Sequence, residues 1–142
     1  MLFCGARIAG AGFRKTGRMA FPVEESRIRA AEEALGRTFP DDLRQRLMLE
    51  NGGEIDDADE GYWFLYPVYD DSDRRRLARS ANHVVKETET WRSQADGFPQ
   101  DAIVVAEDQE GNAIVLLPGD DSFYVWDHES RETEPIELLF DE

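Results

Sequence analysis

From Val23 to Leu35 the apolar residues Ile28, Ala31 and Leu35 recur at i, i+3 and i+7, the spacing that lines one face of an α-helix. Glu24 and Glu25 lie near the positive N-terminal end of this segment, and Gly36 stands where a left-handed C-cap is needed. Phe39-Pro40-Asp41-Asp42 restarts a helix, with an acidic residue able to cap it. Leu43, Leu47 and Met48 form its inner stripe before Asn51-Gly52-Gly53 ends it. A helical hairpin therefore opens the domain. Glu54 to Glu60 reads as an acidic loop, and Gly61 to Val68 as an aromatic strand stopped by proline. After the helix-starting run Asp70-Asp71-Ser72-Asp73, the residues Leu77, Ala81, Val84, Val85, Thr88 and Trp91 place one helix over Arg74 to Gln94.

Beyond Phe98-Pro99 the period changes. Ala102 to Ala106, Ala113 to Leu117 and Phe123 to Trp126 are short apolar runs separated by Glu107 to Asn112 and Pro118 to Ser122, the pattern of a β-meander with tight turns. Pro135 to Phe140 reads as a last short strand or a helical turn. The expected fold is α+β, a mainly antiparallel meander sheet with helices packed on one side. Residues 1–20, basic and rich in Gly and Ala, show no clear periodicity and stand apart from a single domain at 21–142. Met19 before Ala20-Phe21-Pro22 reads as a translation start with Met1 to Arg18 an upstream extension; the other reading is a mobile arm or an added strand.

With 142 residues, 41% hydrophobic and 33% charged, the chain fits one globular domain rather than a disordered or fibrous one. It lacks a membrane-length apolar run and the continuous apolar stretch of a secretory signal. Cys4 is the single cysteine, so no intrachain disulfide can form. A cytoplasmic location is expected. Residues 1–20 carry four bases and no acid, which leaves 12 bases against 31 acids, or −19, on the rest of the chain. A field of that sign repels nucleic acid and anionic membranes, so neither is expected as a partner, and it draws in basic proteins.

Candidate chemistry is sparse. Gly12 to Met19 has the two glycines of a phosphate loop but carries Arg18 and Met19 where Lys and Ser/Thr are required. Cys4, His83 and His128 are scattered over unrelated segments, which argues against zinc. The acidic run before Gly61 puts Ala58 and Pro67 at positions where a calcium loop needs ligands. With 31 carboxylates, close pairs arise by chance and do not by themselves indicate a hydrolase. No catalytic residue, metal or cofactor is expected. What remains is binding by Tyr62, Trp63, Phe64, Tyr66, Tyr69, Phe123, Tyr124 and Trp126, which lie in or beside strands flanked by acidic loops. Alternation should bury some and leave others outward as interface anchors.

The order of segments resembles the SUKH superfamily, the Smi/Knr-like group of small α+β proteins. The resemblance rests on Leu35-Gly36, Phe39-Pro40-Asp41 and Leu49-Glu50-Asn51-Gly52-Gly53, and then on Phe98-Pro99, the turn Asp108 to Asn112, and Val125-Trp126-Asp127-His128. It covers about Phe21 to Phe140. It implies a non-enzymatic protein-binding domain: bacterial members are mostly immunity proteins that neutralise a cognate polymorphic toxin, often a nuclease, and fungal relatives are regulatory interaction hubs. The expected partner is thus a cognate, basic toxin, with a cellular partner as the alternative. Candidate contacts are Glu54, Asp56, Asp57, Asp59 and Glu60; the acidic turns with Asp70, Asp71, Asp73, Asp120 and Asp121; and the aromatics Tyr62, Trp63, Tyr66, Tyr124 and Trp126. Each family motif also has a structural explanation: Asn51 to Gly53 stops a helix, Asp108 to Asn112 turns a hairpin, and Trp126 with His128 can brace the sheet.

Overall fold

The computed structural model describes residues 20–140, so the expected N-terminal extension lies outside the described residues except for Ala20. Helix α1 (Glu25–Leu35) ends at Gly36, whose φ of 82° only glycine adopts freely and whose N–H donates to the Glu32 carbonyl. Helix α2 (Asp41–Leu49) follows, and Ile28, Ala31, Leu43 and Leu47 are buried as the spacing predicts. The acidic cap expected for α2 is absent, because Pro40 holds the cap position. The buried carboxylate of Glu32 on α1 instead accepts from the Phe39 N–H at 2.7 Å and from Arg44 Nε at 2.9 Å, tying the two helices together.

Two further expectations are corrected. The acidic stretch is mostly strand: β1 (Gly53–Asp57) pairs antiparallel with β2 (Tyr62–Leu65), leaving a tight turn between them. Ile55 and Asp57 are buried while Glu54 and Asp56, which alternate with them, are not, so the density of acids hides a period-2 pattern. The single helix expected over Arg74 to Gln94 is two, α3 (Arg74–Arg79) and α4 (Val84–Gln94). The chain breaks where the Ser80 hydroxyl bonds back to the Arg76 carbonyl at 3.0 Å and accepts from the Asp70 N–H at 3.0 Å. His83 then caps α4, and the Val84 N–H reaches the Pro67 carbonyl. Helix α3 buries no residue, so Leu77 lies on the surface.

The meander follows as β3 (Ile103–Glu107), β4 (Ala113–Leu116), β5 (Phe123–Trp126) and β6 (Thr133–Ile136), and the tail adds a two-residue strand β7 (Leu138–Leu139). The sheet runs β6-β5-β4-β3-β2-β1-β7 with antiparallel neighbours throughout. Its two edge strands are successive in the chain with only Glu137 between them, so the sheet curls nearly into a barrel. The observed architecture is the α+β one read from the sequence. Strand β4 is buried on both faces, and α4 packs on β3, where Thr88 Oγ1 accepts from the Val104 N–H at 3.1 Å. Burial of each such aliphatic side chain stabilises the fold by about 2 kcal/mol.

Candidate functional site

Cross-strand partners in an antiparallel pair share a face, so the register sorts the side chains of β1, β2 and β7. Asp56 faces Tyr62 and Leu139, and Glu54 faces Phe64, which in turn faces Glu107 on β3. The same face continues through Ala113 to Trp126, which meets α4 through Trp91 in an edge-on contact at 6.0 Å. Helix α4 thus covers the β3–β5 part of this face. No described helix covers the β1–β2–β7 part: Tyr62 is 49% and Leu139 37% exposed, and Phe64 is half-buried.

The open part is an aromatic stripe rimmed by carboxylates. The Tyr62 ring meets Phe64 edge-on at 5.3 Å, and the Tyr62 hydroxyl donates to Glu54 Oε2 at 3.0 Å, which fixes the tyrosine in place. Glu107 sits beside Phe64 where α4 begins to cover the sheet. Its carboxyl is pushed above the usual glutamate range, first by burial and then by the like charges of Glu87 and Asp108. The opposite face carries Ile55, Asp57, Trp63 and Leu65, all buried.

The remaining candidate residues fall into distinct places. Asp57 is buried and accepts from Trp63 Nε1 at 2.8 Å, from the Asp59 N–H at 2.7 Å and from the Gly61 N–H at 2.9 Å. Burial pushes its carboxyl up, but these donors together hold it below the usual aspartate range. Asp59 and Glu60 are exposed in the turn that this network builds. Trp63, Tyr66, Asp70 and Trp126 are buried too; the Tyr66 hydroxyl accepts from Trp91 Nε1 at 3.1 Å, and the Asp70 carboxylate accepts from the Ser72 N–H at 3.0 Å. Their side chains belong to the interior rather than to a contact surface. The other acidic turns are neutralised internally, Asp71 by Arg27 at 2.6 Å, Asp73 by Arg76 at 2.6 Å and Asp121 by Arg37 at 2.7 Å. Asp120 accepts from the Tyr124 hydroxyl at 2.6 Å, a bond that lowers the pKa of Asp120 and raises that of Tyr124.

Of the candidates, the structure therefore brings Glu54, Asp56 and Tyr62 together. Glu107 and Leu139 are not read from the sequence as binding residues, and Phe64 is read among the strand aromatics but not among the candidate contacts. Alternation from Tyr62 would have found Phe64; Glu107 falls one residue past the strand end read from the apolar run, and Leu139 lies in a tail whose form stayed open. The sequence motifs prove to be braces. Asn51 spans Val68, donating to its carbonyl at 2.9 Å and accepting from its N–H at 2.8 Å. Asn112 accepts from the His128 N–H at 3.1 Å and lies 2.8 Å from His128 Nδ1, joining the β3–β4 turn to the end of β5. Among the described residues no group of three or more His, Cys, Asp or Glu side chains is placed to hold a metal, and no helix is long and apolar enough to cross a membrane.

A helical layer on a nearly closed antiparallel sheet, with its polar motifs used as braces and one acidic-aromatic face left uncovered by the described helices, defines a small α+β protein. The chain belongs to the SMI1 / KNR4 family (SUKH-1), whose model matches residues 22–142. A search among curated proteins finds no match to the chain. The family is generally one of non-enzymatic immunity and interaction domains.

Proposed function

We propose that this chain is an immunity protein that binds and neutralises a cognate bacterial toxin in the cytoplasm, without catalysing a reaction and without a cofactor. The observation that carries the reading is the open face of Glu54, Asp56, Tyr62, Phe64, Glu107 and Leu139, acidic at its rim and apolar at its centre. Interfaces of high affinity place aromatic anchors at the centre and charges around them. A nuclease toxin binds a polyanion and so presents a basic surface, which an inhibitor of this charge approaches quickly and withholds from its substrate. Family membership supports a protein partner. The test is co-expression with the product of the neighbouring gene: rescue of growth together with a stable 1:1 complex is expected. A neighbour that is not toxic and forms no complex would overturn the reading in favour of a cellular regulatory partner.

A further inference from the structure

Acids inside this fold are almost all supplied with donors. Glu32 has Arg44 and the Phe39 N–H, Asp57 has Trp63 and two backbone N–H groups, and Asp70 has the Ser72 N–H. The half-buried carboxylates Glu50, Asp108, Asp120 and Asp127 likewise have Arg46, Asn112, Tyr124 and the Glu129 N–H. Three half-buried carboxylates, Asp56, Glu87 and Glu107, have neither a hydrogen bond nor an ion pair among the described residues. Asp56 and Glu107 lie on the open sheet face, and Glu87 borders it. A carboxylate taken partly out of water and given no donor destabilises the free protein, and such costs concentrate where a partner supplies the missing group.

We infer that Glu107 is the ion-pairing anchor of this face, held without a cation among the described residues to receive a guanidinium or ammonium group from a basic loop of the partner. The inference rests on the reading of the face as the partner-binding surface. Glu107 sits beside Phe64 with Ala113 on its other flank, and the ionisable groups that act on it are Glu87 of α4 and Asp108, with Tyr66 close by. No cation is among these groups of the described residues. A basic side chain arriving there would meet several negative groups at once, while a neighbouring apolar side chain of the same loop would lie on Tyr62 and Phe64. Charge complementarity selects a basic occupant: an acidic protein or a second copy of this chain would add like charge to Glu87, Asp108 and Glu107.

The experiment compares Glu107→Gln with the wild-type chain in two measurements, thermal melting of the free protein and the dissociation constant with the co-purified partner; Glu33→Gln on α1 serves as the charge-matched control. Expected are a melting temperature equal to or above wild type, a complex weakened tenfold or more, and a control within threefold of wild type. A Glu107→Gln melting temperature several degrees below wild type would overturn the inference by making Glu107 structural. Unchanged binding of Glu107→Gln while Tyr62→Ala weakens the complex would overturn the anchor and leave the face intact. Unchanged binding by both variants would overturn the face reading as well.

Discussion

Asp57 on β1 and Glu107 on β3, either side of β2 in the sheet, are carboxylates with opposite fates. Asp57 receives three donors, and its lowered pKa means that its stabilising contribution is fully present above the ordinary aspartate range and is lost as pH falls through the lower folded value. Replacing it with alanine orphans the Trp63 N–H and two backbone N–H groups. The expected loss is about 3 kcal/mol in urea unfolding at neutral pH. Glu107 runs the other way: its raised pKa makes the folded state the better proton binder, so acidification from neutral pH into the range just above the ordinary glutamate value relieves part of its cost. Glu107→Gln removes that pH dependence. Melting curves between pH 5 and 7 check it, and an identical pH profile in wild type and variant would contradict it. Tyr62, half exposed and held by Glu54, is the residue whose loss should most weaken a complex, by about 2 kcal/mol or roughly 30-fold in dissociation constant when changed to alanine.

At the scale of elements, the α2–β1 junction shows why the Asn-Gly-Gly motif is needed. Asn51 pairs with both backbone groups of Val68, and Gly52, at a φ of 106°, leaves 3.3 Å between an added Cβ and the Leu65 carbonyl. Arg46 donates to the carbonyls of Glu50, Gly52 and Glu54, clamping the same turn. Gly52→Ala is expected to cost more than 1 kcal/mol through backbone strain, and Arg46→Ala about 2 kcal/mol, both read by urea unfolding. Because the two residues brace one turn, their combined effect should fall short of additive. The helical hairpin and the three-stranded meander were legible in the sequence because Ile28, Leu43, Leu47 and the run Ile114 to Leu116 carry simple periodicities. Strand β1 was not, since its outward positions are acidic and one of its two inward ones, Asp57, is acidic as well. Nor was the α3–α4 break, which depends on Ser80 reaching Asp70 across a fold the linear pattern does not show. Of the candidate contacts, the exposed ones required the register of β1 on β2, which fixes which aromatic faces outward; Trp63 and Tyr62 are neighbours with opposite destinations.

At the scale of the whole molecule, −19 over residues 21–142 is spread unevenly, because Asp71, Asp73 and Asp121 spend their charge on internal arginines while Asp56, Glu87 and Glu107 do not. Part of the uncompensated field among the described residues therefore lies on and beside the open sheet face. Association with a basic partner should slow about tenfold between low and physiological ionic strength, as followed by stopped-flow, and a salt-independent on-rate would contradict steering. The most direct measurement is the dissociation constant of the complex formed by a double variant, Tyr62→Ala with Asp56→Lys, beside Glu33→Lys as a control that reverses the same charge on α1. The account predicts a loss of a hundredfold or more for the double variant with its circular dichroism unchanged, and less than threefold for the control. Wild-type affinity in the double variant would show that the partner binds elsewhere.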